Sequence, residues 1–182
     1  AATMFYRLLN EDVKAEYETD ENEFSDVSEA DWYCTAVSTL ANIGIFGGYP
    51  DGSFRPDAYI TRAEFAAICA RIDGEDADET AEYSDIDGHW AADEISRVAE
   101  LGWVKGYTDG TFRPNQQITR AEAMAVINRI TERNPETKAD LLDSMKTWVD
   151  NTEDKWYYID VQEATVAHDY ERKDNGREAW TD

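Results

Sequence analysis

The tetrapeptide Thr-Arg-Ala-Glu occurs twice, at 61–64 and at 119–122. In both copies a Thr suited to an N-cap stands three residues before a Glu that can reach back to its backbone N–H, the spacing of a capping box. The arginines need another reason. A cation in the first turn faces the positive end of the helix dipole, at a cost of a few tenths to about 1 kcal/mol. An arginine at that position also stands beside free backbone N–H groups, and a helix start is itself an anion site. Its planar fork of donors suits a carboxylate, which it can hold in two parallel bonds. Arg62 and Arg120 are therefore candidate ligand-binding residues, expected to be removable without damage to the fold. The competing reading pairs each with a nearby acidic side chain.

Other residues recur around these two. Trp32, Trp90 and Trp156 each open a helical stretch. Indole packs well on the apolar face of a sugar but equally well on a neighbouring helix, and packing is the favoured reading. Gly48 and Gly106 would let a ligand approach the backbone, or serve a tight turn. Asp26, Asp85 and Asp150 lead into each first helix and are read first as caps, with Asp26 and Asp85 kept as ligand candidates. Lys105 and Trp103 have no counterpart in the other repeat, so any role of theirs, including a ligand role for Lys105, belongs to one groove. His89 and His168 show no partner pattern and are read as structural. Cys34 and Cys69 lack metal-ligand spacing and read as buried thiols. No stretch has EF-hand spacing, no metal or cofactor is expected, and no acid pair recurs in an apolar setting that would suit a general acid. The chain is read as a non-enzyme.

The elements that must position these residues form a repeat. With an offset of 58, the stretch from Trp32 to Arg71 aligns with that from Trp90 to Arg129, with 18 of 40 positions identical. A period of this length marks a repeated supersecondary unit. An aspartate-led segment ("FSDV", "YSDI") precedes a helix with apolar positions at Val37, Leu40 and Ala41, or Ile95, Val98 and Ala99. Gly44 and Gly102 stand where those helices should end. A turn at "PDGS" or "TDGT" follows, then the anchors Phe54 and Phe112, an Arg-Pro pair, and the capping box of a longer second helix. A third copy is split: "WVDNTEDKWYYIDVQEATVAHDYER" matches a first helix and "AATMFYRL" a second. The two pieces are expected to pair as one lobe, since neither alone buries its apolar face. The opening residues read as the interior of a helix, so the sequence is expected to be part of something longer.

Composition narrows the partners. The chain has 182 residues, 42% hydrophobic, with a formal net charge of −23. That charge excludes nucleic acid and anionic membrane surfaces, which both demand a basic footprint. No apolar run is long enough to span a membrane. Cations gather near the repeated motifs, with five Lys or Arg against three acids in residues 105–133.

The motif strings "GYPDGSFRP…ITRAE" and "GYTDGTFRP…ITRAE", with the "FSDV" and "YSDI" lead-ins and the Trp at each first helix, resemble the S-layer homology domain family in its three-repeat arrangement. The resemblance is strong over about residues 24–134 and weak at both ends. It implies a mainly α, three-lobed pseudo-trimer with the second helices bundled at the centre, short loops and minimal strand. Residues 1–23 would be a second helix and acidic linker, 24–82 and 83–147 complete repeats, the latter with a linker helix, and 148–182 the first helix of the split repeat. It also implies an extracellular module that holds a surface protein to an acidic, pyruvylated wall polysaccharide, with the TRAE arginine in each groove. The split repeat has neither the DG[ST]FRP loop nor a TRAE, so one groove is expected to be incomplete. The competing functions are self-association in a surface lattice and, ranked lower, hydrolysis of wall glycan.

Overall fold

The computed structural model describes residues 1–181; Asp182, the last residue of the expected C-terminal segment, lies outside them. The chain is mainly helical: α1 (Ala2–Leu8), α2 (Glu11–Tyr17), α3 (Cys34–Asn42), α4 (Arg62–Asp73), α5 (Ala92–Glu100), α6 (Arg120–Ile130) and α7 (Tyr158–Thr165). A short hairpin of β1 (Asp169–Arg172) and β2 (Glu178–Thr181) follows, paired antiparallel with Asp169 opposite Thr181.

Local chemistry sets the helix limits. Both capping boxes form, Thr61 with Glu64 and Thr119 with Glu122, and each N-cap is worth about 1 kcal/mol. Gly44 and Gly102 follow α3 and α5 at φ 85° and 71°, and Gly74 ends α4 at φ 81°. These left-handed positions cost a residue with a Cβ more than they cost glycine. The acidic stretch read as linker contains α2, because Asn10 accepts from the Val13 N–H while Glu11 and Asp12 occupy the first turn. The expected linker helix after α6 is only a single 3₁₀ turn, Lys138–Asp140.

The helices pack in pairs: α1 on α3, α4 on α5 and α6 on α7. Each pair joins the second helix of one unit to the first helix of the next. The sequence led to the expectation of one lobe from residues 1–9 with 148–170; the main helix partner of α1 is α3 and that of α7 is α6. Phe5 and Ala2 of α1 find their apolar partners in the first repeat. They enter the main core with Leu40 of α3 and Phe65 of α4, and the Phe5 and Phe65 rings stand 5.3 Å apart. α4, α5 and α6 add Ala66, Ile95 and Val126 to that core, and the connecting segments add Phe46, Ile86 and Phe112. Burial of a Phe or Leu side chain contributes about 1.5–3 kcal/mol. α7 and the hairpin have a small core of their own, Leu141, Tyr158 and Trp180. Both cysteines are buried and free, and burial pushes the Cys69 thiol up to about 12.

Candidate functional site

The "GYPDGSFRP" loop is built around a strained arginine. Arg55 has φ 59°, a left-handed conformation that side chains with a Cβ rarely adopt. Two successive N–H groups, of Phe54 and Arg55, donate to the Asp26 carboxylate at 2.7 and 2.8 Å. Such a pair of convergent N–H groups forms an anion-binding nest. The Phe54 N–H, and behind it that of Arg55, hold the Asp26 carboxyl below its ordinary range against the opposing effect of desolvation. The Arg55 guanidinium returns to Asp51 at 2.8 Å and lies 4.1 Å over the Tyr49 ring. The second loop repeats each contact. Arg113 has φ 58°, Phe112 and Arg113 donate to Asp85 at 2.8 Å, and Arg113 reaches Asp109 at 2.9 Å and Tyr107 at 3.7 Å. Asp26 and Asp85 thus clamp the loop that follows their helix, not the segment they precede, and the clamp engages both oxygens of each carboxylate.

The two glycines have the same explanation. A Cβ on Gly48 would stand 2.3 Å from the Phe24 ring, and one on Gly106 2.3 Å from Tyr83. Each lead-in aromatic occupies the space of the missing side chain.

The two TRAE arginines are not equivalent. Arg62 is buried, with Nε donating to the Phe112 carbonyl at 2.8 Å, Nη1 to Glu122 at 2.8 Å and Nη2 to the Lys105 carbonyl at 3.2 Å. Even its helix start is filled. The N–H groups of Arg62 and Ala63 donate to Gln116 and Pro114 carbonyls of the second loop. Arg62 therefore joins the first repeat to the second. Arg120 is exposed and has no hydrogen-bond or ion-pair partner among the described residues. Among the described residues, the first turn of α6 lacks the backbone contacts to a neighbouring loop that α4 has. Lys105 is exposed and contributes its carbonyl to Arg62.

The tryptophans are out in solvent, which corrects the packing reading. Trp32 is 81% exposed, Trp90 60% and Trp156 65%. Trp32 and Trp156 meet the following Tyr33 and Tyr157 edge to face, and Trp90 lies beside His89.

A groove of about 770 Å³ lies between the start of α1, the first loop and α4. It brings together Trp32, Trp90 and Gly48 with Tyr33, Tyr49, Tyr59, Arg55 and Arg71. Arg62, Arg120, Gly106, Trp156, Lys105, Asp26 and Asp85 are not among its lining residues. Arg71 is exposed, donates to the Ile45 carbonyl at 3.1 Å and has no acidic partner among the described residues. Glu64 in the same wall is held below its ordinary range. Burial opposes this, but the Thr61 N–H, the Tyr49 and Thr61 hydroxyls and the Arg55 charge together outweigh it. Sequence reasoning passed over Tyr49, Arg55 and Arg71, although their equivalents Tyr107, Arg113 and Arg129 stand at the same offset. That recurrence was the available signal. Aromatic faces beside two arginines form a surface that can stack on sugar rings and hold a carboxylate.

Residues 23–66 and 82–124 match the S-layer homology domain. The whole chain aligns at 36% identity with 41% of a cellulosome-anchoring protein of Acetivibrio thermocellus. At 34% identity, 93% of the chain aligns with 8% of cell surface glycoprotein 1 of that organism. An amylopullulanase of Thermoanaerobacterium thermosulfurigenes shares 36% identity over 72% of the chain and 7% of its own length. The chain thus spans less than half of each of these relatives.

Proposed function

The chain belongs to the S-layer homology domain family, and from that membership we propose that it is a non-catalytic module that holds a surface protein to the cell wall by binding an acidic wall polysaccharide. The relatives described as an anchoring protein and a cell surface glycoprotein support an extracellular, wall-associated place for it. The observation that carries the ligand class is the groove. It puts exposed Trp32, Trp90 and Tyr59 beside Arg71, a cation without an acidic partner in a chain of net charge −23. Sugar faces stack on the aromatics, and Arg71 with Arg55 takes a carboxylate such as a pyruvate ketal or uronate. Arg120, exposed where Arg62 is closed off, lies outside this groove.

Hydrolysis is disfavoured on a specific ground. Glu64, the carboxylate in the groove wall, is held ionised by four donors and charges, whereas a glycosidase acid must be kept protonated.

The test is a pull-down of the chain with isolated cell walls, before and after chemical removal of the non-peptidoglycan polymer. Binding should be lost on removal and weakened by Arg71→Ala. Equal retention by stripped walls would overturn the polysaccharide reading and favour self-association.

A further inference from the structure

A second chemical cluster lies away from the groove, where the hairpin docks on α7. Glu163 near the end of α7, His168 just before β1 and Glu178 of β2 each offer one ligand atom, all within 4.8 Å of one another. Their side chains are only 2%, 2% and 0% exposed. Arg133, which follows α6, supplies the resident positive charge. Its Nη2 stands 3.0 Å from Glu163 and 2.8 Å from His168 Nε2, and its Nε 3.1 Å from Glu178. Two buried carboxylates share the Arg133 guanidinium, and the next cation, Arg172, stands 3.9 Å from Glu178 and is divided with Glu132 at 3.7 Å. Glu178 Oε1 is buried without a hydrogen-bond partner, and Arg172, at 3.9 Å, is beyond hydrogen-bond reach. A buried carboxylate oxygen left in this state costs free energy unless a cation meets it.

The imidazole is held as a ligand would be. His168 Nδ1 donates to the Val166 carbonyl at 2.7 Å, which leaves the Nε2 lone pair turned toward the carboxylates. The ring is stacked on Trp180 at 3.8 Å, and Trp180 Nε1 donates to Glu163 at 2.7 Å. Metal-bound imidazoles are oriented in this way, by a carbonyl on the far nitrogen and by hydrogen bonds to the neighbouring carboxylate.

We propose that Glu163, His168 and Glu178 form a site for a divalent transition-metal ion, with zinc the best match, and that the Arg133 guanidinium holds the cation position when no metal is bound. One imidazole nitrogen and two carboxylate oxygens suit zinc and its neighbours in the first row, whereas calcium and magnesium prefer all-oxygen sets. A doubly charged ion matches both carboxylates, which a single guanidinium cannot. Arg133 is the member able to leave, since its side chain is 32% exposed and it already lies 4.3 Å over the Tyr170 ring of exposed β1. The ion would tie β2 and the α7–β1 link to α7, in the part of the chain that has the smaller core.

The experiment titrates zinc chloride into the intact chain by calorimetry and follows thermal melting, for the wild type, His168→Ala, Arg133→Met and, as a control, His89→Ala. Expected are one zinc per chain in the wild type, a loss of about tenfold or more in affinity with His168→Ala, and a gain of similar size with Arg133→Met, whose competing cation is gone. Arg133→Met should melt lower than the wild type without zinc and recover with it, while magnesium does nothing. His89→Ala should bind as the wild type does. Equal zinc affinity in the wild type and His168→Ala would overturn the proposal, because it would place the metal on the acidic surface. Absence of binding in both the wild type and Arg133→Met would also overturn it, and would leave the cluster as a closed ion-pair lock. If Arg133→Met does not fold, the comparison of the wild type with His168→Ala decides alone.

Discussion

Arg62 and Arg120 show how one residue in one motif acquires two roles. Arg62 is paired with Glu122 at 2.8 Å, and the two side chains are 8% and 13% exposed. Desolvation raises the Glu122 carboxyl, but the Thr119 N–H and hydroxyl, the Tyr107 hydroxyl and the Arg62 charge bring it below its ordinary range. Arg62→Ala would take the charged partner from that carboxylate and the side-chain donor from the Phe112 and Lys105 carbonyls. Breaking a buried pair from one side costs about 3–5 kcal/mol, so Arg62→Ala is expected to unfold at markedly lower urea. Arg120→Ala should unfold with the wild type, because nothing in the described structure leans on its side chain. Coincident urea curves for all three proteins would show that Arg62 does not join the repeats. The sequence-based expectation that both arginines are dispensable to the fold thus reverses at Arg62. Its acidic partner stands in the next repeat, and nothing in the local pattern of TRAE points there.

At the scale of the element, the loop is where sequence and structure agree best and where pH enters. Asp109 accepts from the Thr111 N–H and hydroxyl and from Arg113. These contacts, the Thr111 hydroxyl first, take its carboxyl down to about 2. A carboxyl whose folded pKa is depressed contributes stability that is complete above its unfolded value, about 3.9, and is lost as pH falls through the folded one. The loop should therefore loosen between about pH 4 and pH 2. An NMR titration of the Asp109 carboxyl carbon should show a midpoint near 2 in the wild type and a clearly higher one in Thr111→Ala. A wild-type midpoint in the ordinary aspartate range would remove the contact. The loop's outline was legible because glycine, the turn residues and the capping box are local signals that recur at a fixed offset. The left-handed Arg55 and Arg113, and the reach of Asp26 and Asp85 across to them, were not. Contacts between residues nearly thirty apart have no periodicity to betray them. The exposed tryptophans were misread for the related reason that an aromatic at a helix start has the same pattern whether it faces a core or a groove. His168 showed no partner pattern in the sequence because Arg133, Glu163 and Glu178 reach it from different elements.

For the molecule as a whole, the excess of acid decides what kind of binding the groove can have. With 40 Asp or Glu against 17 Lys or Arg, the long-range field repels an anionic polymer, so attraction must come from short contacts in the groove. In the proposed mode of binding Arg71 is one such contact, and stacking on Trp32 and Trp90 is another that carries no charge. Screening acts over about 8 Å at physiological ionic strength. Added salt therefore removes more of the distant repulsion than of a close Arg-carboxylate pair. Affinity for the wall polysaccharide is expected to hold or rise slightly from low to moderate salt, the reverse of a basic protein on a polyanion. Removal of the polymer's pyruvate, or reduction of its uronates, should abolish binding at every salt concentration if the arginines read the carboxylate. Calorimetry across a salt series with intact and treated polymer separates the outcomes. A steep fall with salt would mean that loosely held surface cations dominate. Undiminished binding to treated polymer would transfer the recognition from Arg71 to the aromatics, because stacking is indifferent to whether the sugar carries an acid.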